Sequence, residues 1–145
     1  MSEALELLTR LVQDGFGQGR LEVADEVLAP DFEETQFGMA AQGTEAIRNV
    51  KAAIRDLRAM VPDIAFTIED SVVDGDAAWV RMTARGTLSG TAFGRPPSGR
   101  TLEITGFEWA RARDGRIVEH WGVPDRFAML AQSGLLAELM GSRAG

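Results

Sequence analysis

The hydrophobic period of this chain changes once, at Pro62, and that change limits the folds open to it. Before Pro62 apolar residues recur every three or four positions, and after it they alternate with polar ones. Leu5, Leu8, Val12 and Phe16 lie at helical spacing, with Glu3, Glu6, Arg10 and Gln13 for the wet side. This predicts an amphipathic helix over residues 3–16, broken by Gly15, Gly17 and Gly19. Leu21, Val23, Ala24, Val27 and Leu28 predict a second short helix that Pro30 stops. Residues 31–42 mix apolar and polar types around Phe32, Phe37 and Gly38 and suggest a short strand or loop of open register. Thr44 is expected to cap a longer helix over residues 45–60 that carries Ile47, Val50, Ile54 and Leu57.

Beyond Pro62, Ile64, Phe66 and Ile68 begin a half-buried strand that Val72 and Val73 extend. Asp74-Gly75 and Asp114-Gly115 are hairpin signals, because type I′ turns need positive φ at both central residues. They join residues 77–87 to the first strand, and 101–113 to a last strand over 116–122. Between them, residues 90–99 are too rich in Gly and Pro to pair in a ladder and predict a long loop. A closing helix from about Asp125 contributes Phe127, Leu130, Leu135, Leu136 and Leu139. Helices followed by an antiparallel meander predict an α+β fold with the helices on one face of a curved sheet. With 145 residues, a single domain over 1–145 is the expectation.

A net charge of −7 opposes a nucleic-acid backbone or an anionic membrane surface, so neither is an expected partner. The absence of cysteine removes thiolate nucleophiles and cysteine-based metal sites, and a single histidine excludes a multi-histidine one. The acidic start, Ser2-Glu3-Ala4-Leu5-Glu6, is unlike a secretory signal, and no apolar run reaches the roughly 18 residues of a membrane span. A cytoplasmic address is expected.

Chemistry concentrates in Glu119-His120-Trp121-Gly122-Val123-Pro124-Asp125. Strand alternation puts His120 and Gly122 on one side and Glu119 and Trp121 on the other. A partly desolvated Asp125 would serve as a general base with His120 as its partner. The same aspartate, after Pro124 and before an apolar helix, also fits an ordinary N-cap. Trp79, Phe93, Phe107, Trp109 and Trp121 are candidates for an aromatic slot, or simply for core. The arginines at 81, 85, 111, 113 and 116 read as the solvated face of the sheet. With no tyrosine, carbonyl polarisation by a phenolic hydroxyl is excluded, and no nucleophile elbow, phosphate loop or dinucleotide fingerprint occurs.

Gly94-Arg95-Pro96-Pro97-Ser98-Gly99-Arg100, then Asp114-Gly115-Arg116-Ile117-Val118-Glu119-His120-Trp121-Gly122 and Asp125, resemble the hallmark of SnoaL-like proteins. Pro62-Asp63 and Gly86-Thr87 fit as well, and the resemblance runs from about residue 5 to 136. It implies a cone-shaped, nuclear-transport-factor-2-like barrel around a pocket for a small hydrophobic organic substrate. It also implies a polyketide ester cyclase type of chemistry with no cofactor. Asp125 would remove a proton beside an ester, His120 would orient the substrate or steady the enolate, and an aldol addition would close the ring. Trp79, Phe93, Phe107, Trp109, Gln36 and Phe37 are the expected substrate contacts. Sheets of this fold commonly pair, so a homodimer or higher homo-oligomer is expected. Two departures stand out: many relatives carry histidine where this chain has Glu33-Glu34-Thr35-Gln36, and another where it has Leu88. Either Glu34 or Gln36 would then supply the replacement polar contact. The competing reading is a small-molecule binding protein, or a related isomerase or hydrolase; an Asp125 facing the cavity favours catalysis, one facing its helix and solvent favours binding.

Overall fold

The computed structural model describes residues 2–36 and 38–141. Helix α1 (Glu3–Arg10) starts on Ser2, whose hydroxyl accepts from the Leu5 amide, and continues as a π-helical segment, Leu11–Phe16. The wider turn closes where the Gly17 amide donates to the Val12 carbonyl. α2 (Glu22–Val27) leads directly into strand β1 (Leu28–Gln36), so Pro30 sits within a strand rather than after a helix. β2 (Met39–Gln42) precedes α3 (Gly43–Met60), which begins one residue before Thr44 and has no side-chain cap.

The strands that follow are β3 (Ala65–Asp74), β4 (Ala77–Thr87), β5 (Thr101–Arg113) and β6 (Arg116–Pro124). Two short helices, α4 (Arg126–Gln132) and α5 (Leu135–Gly141), replace the single closing helix, separated at Gly134 with φ of 86°. The Asp114-Gly115 turn has positive φ at both residues, 53° and 79°, as a type I′ hairpin requires. The earlier hairpin differs: Asp74 pairs with Ala77, so its central residues are Gly75 and Asp76, and only Gly75 has positive φ.

The six strands form one sheet in the order β2-β1-β6-β5-β4-β3. It is mixed rather than wholly antiparallel, because β1 runs parallel to β6. The long chain between them allows that pairing, since parallel neighbours need a crossover and cannot be joined by a tight turn. Register shifts interrupt the β1–β6, β3–β4 and β5–β6 ladders, and such bulges bend a sheet. The curved sheet does not close into a barrel.

Helices cover the inner face. One apolar cluster joins α1, the π segment, α2 and α3 to the sheet through residues such as Leu8, Val23, Phe32, Ile54 and Val80. A second, with Val61, Ile64, Leu88, Leu102 and Ile104, lies toward α4. Small residues permit close approach, as where Ala4 packs on Ala78 and Ala112. The two motif fragments Pro62-Asp63 and Gly86-Thr87 meet: Asp63 accepts from the Thr87 amide at 2.7 Å and from its hydroxyl at 2.9 Å. The long loop holds one isolated bridge, Ala92 to Arg95, with Phe93 at φ of 54°, a strained conformation for a bulky side chain. Among the described residues no helix is long and apolar enough to cross a membrane.

Candidate active site

Between the two apolar clusters lies a cavity of about 860 Å³. The π segment contributes Leu11, Val12 and Phe16, the sheet contributes Phe66, Met82 and Ile104, and α4 contributes Arg126 and Met129. Phe16 meets Phe66 edge-on at 6.4 Å, closing one wall. Against this apolar lining stands one compact polar group on the sheet floor.

Register places that group. In one cross-strand row Glu34 of β1 lies beside His120 of β6, which faces Ala110 of β5; in the next row Gln36 lies beside Gly122, which faces Glu108. Among the described residues, Glu34, Glu108 and His120 are the buried polar and charged ones, each no more than 6% exposed. Both Glu34 carboxylate oxygens approach His120 Nδ1, at 2.8 and 2.9 Å. Glu108 Oε2 ion-pairs with Nε2 at 2.6 Å, without the alignment of an ordinary hydrogen bond. Burial opposes charge on the imidazole. The two flanking carboxylates outweigh it and push the His120 pKa up to about 10. Burial likewise raises Glu34, against the opposing pull of His120.

Gly122 is what lets the rows interlock. A Cβ there would fall 2.8 Å from Glu108 Oε2 and 3.1 Å from Gln36 Nε2, so the two side chains occupy the space a larger residue would take. Among the described residues no group of three or more His, Asp or Glu side chains is arranged to hold a metal ion. Both nitrogens of His120 already face carboxylates.

Residues 6–133 match the description of SnoaL-like polyketide cyclases. The chain belongs to the SnoaL-like polyketide cyclase family. IdmH, a candidate polyketide cyclase from Streptomyces antibioticus, is 35% identical with a TM-score of 0.77, the match covering 90% of this chain and 98% of that one. TsrD from Streptomyces laurentii is 28% identical with a TM-score of 0.77, over 92% and 96% of the two chains. A SnoaL-like candidate cyclase from Jannaschia sp. CCS1 is 25% identical with a TM-score of 0.78, over 90% of each chain. No curated protein sequence matches. The family and its structural neighbours support a cyclase-type function on a nuclear-transport-factor-2-like fold.

In this SnoaL-like chain the expected site residues divide. His120, Gln36 and Phe93 line the cavity. Asp125 is exposed; its Oδ1 accepts from the Ala128 amide at 2.9 Å and caps α4, while its neighbours Pro124 and Arg126 line the cavity. Trp79, Phe107 and Trp109, expected as pocket walls, stand on the opposite face of the sheet. Trp79, Trp109 and Trp121 are cross-strand partners in one row, and Phe107 pairs with Val123 in the next. Phe37 lies outside the described residues. Of the two candidates for the missing polar contact, Glu34 points inward to bind His120, and Gln36 also reaches the cavity. Leu88 is buried in the second apolar cluster.

Glu108 escaped the sequence reading altogether. Placing Phe107 and Trp109 inside forces Glu108 outside, and the true phase is the reverse. The signal was present in the company Glu108 keeps: Leu102, Ile104, Gly106, Ala110 and Ala112 share its parity, whereas Thr101, Glu103 and Thr105 share that of Phe107.

Proposed function

We propose that this chain is a cofactor-independent cyclase-type enzyme acting on a small hydrophobic ester. A carboxylate removes a proton from carbon beside the carbonyl, and the enolate closes a ring by aldol addition to a second carbonyl of the same molecule. The single observation that carries this reading is the Glu34–His120–Glu108 group on the floor of an apolar cavity. A charged imidazole held in low dielectric supplies a fixed positive potential where an enolate would form, and the apolar walls hold a flexible chain in a reactive fold. Turnover of a panel of anthraquinone-type methyl esters, followed as ring closure, tests it. Wild type should convert at least one ester, and His120→Ala, assayed below its own melting temperature, should lose on the order of 100-fold or more.

One observation favours a second reading. Asp125 faces its helix and solvent, the arrangement expected of a protein that only sequesters its ligand. If no ester turns over while apolar ligands still raise the melting temperature, the binding reading replaces the catalytic one.

We also propose that the chain works as a homodimer. The outer sheet face presents Trp79 and Trp121, each 50% exposed, with Phe107, Val72 and Val123 beside them. Large contiguous apolar surface of this kind is characteristic of an interaction site.

A further inference from the structure

We propose that Glu108 is the general base of the cavity, the group that takes the substrate proton and later returns it; this rests on the catalytic reading above. Apart from its ion pair with His120, the buried Glu108 Oε2 has no hydrogen-bond partner, and native structures leave few buried polar atoms so sparsely satisfied. Glu108 lines the cavity, and its side chain crosses the gap that Gly122 leaves open, alongside the amide of Gln36. A carboxylate lining the cavity, held by one cation and with lone pairs left over, is what proton abstraction requires.

The rest of the cluster fits that role. Glu34 engages Nδ1 with both oxygens and fixes the imidazole ring, leaving Nε2 beside Glu108. His120 thus holds Glu108 through an ion pair at Nε2. Asp125 offers the opposite combination: it is exposed, and an oxygen is committed to the first turn of α4. In the reaction the substrate C–H bond breaks, its electron pair becomes the enolate, and the proton forms an O–H bond on Glu108. The enolate carbon then bonds to the second carbonyl carbon. The resulting alkoxide recovers the proton from Glu108, so the carboxylate is regenerated and the overall change is an isomerisation needing no co-reactant.

Exchange of the substrate C–H for deuterium isolates the first step from ring closure. The probe is an anthraquinone-type methyl ester bearing a C–H beside the ester carbonyl, incubated in deuterium oxide with the full chain and followed by mass spectrometry. Wild type should promote exchange, Glu108→Gln should slow it on the order of 100-fold or more, and Asp125→Asn should lose less than about tenfold. Glu108→Asp keeps the charge but retracts the oxygens, and should fall between wild type and Glu108→Gln even if the Gln variant folds poorly. Exchange by a folded Glu108→Gln within a few-fold of wild type overturns the assignment while leaving the cyclase reading intact. Greater loss in Asp125→Asn than in Glu108→Gln also overturns it. A wild type that neither exchanges nor cyclises any ester removes the catalytic reading itself, and Glu108's role with it.

Discussion

At the residue scale, the cavity holds one buried histidine whose pKa two flanking glutamates push up. Because the folded pKa of His120 lies above its ordinary 6.5, its contribution to stability is fully present below about pH 6.5 and is lost as pH rises through about 10. Melting temperature should therefore decline from neutral pH toward pH 10, and His120→Gln should flatten that dependence. The same variant should lose about 3–5 kcal/mol at neutral pH, because it leaves two buried carboxylates without their cation. Adding Glu108→Gln to it should restore part of that loss, measurable by denaturant unfolding. A single stability for all variants across this pH range would contradict the charged cluster. His120 itself was legible from the sequence as a strand residue beside a glycine. Its partners were not, because Glu34 reaches it through a parallel pairing with a strand of unreadable register, and Glu108 through a strand whose phase the outward-facing Phe107 and Trp109 obscure.

At the scale of elements, local rules explain most of what was legible. The switch of period at Pro62 located α3 and β3, and the Asp114-Gly115 turn fell where its positive φ values require. The Asp74-Gly75 signal slipped by one residue because glycine alone satisfies the turn that forms there. Asp125 is the element-scale case with most at stake. If its work is to cap α4, Asp125→Ala should destabilise the protein by about 1 kcal/mol, whereas Asp125→Asn, an equally good cap, should leave stability nearly unchanged. A comparison of unfolding midpoints decides it, and equal destabilisation by both would argue for a role of the negative charge beyond the cap.

At the scale of the whole molecule, one sheet has two faces with different work. The inner face carries small and aliphatic residues with one charged cluster, and the outer face carries the tryptophan row, with the Arg111 guanidinium 5.2 Å from the Trp109 ring. Aromatic residues at strand spacing were legible; which face they occupied was not, because strand alternation separates two faces without saying which one the helices cover. Replacing both Trp79 and Trp121 with Lys should convert a dimer to monomer in sedimentation experiments, and a wild type that sediments as a monomer would remove the dimer proposal. The charge on His120 underlies everything assigned to the cavity, and the chain contains no other histidine, so selective isotope labelling gives a single imidazole signal. Its nitrogen shifts, followed by NMR from about pH 6 to 11, report the protonation state directly. An imidazolium that persists at neutral pH and titrates near pH 10 is the predicted result, and a neutral imidazole titrating near its ordinary value of 6.5 would contradict the account.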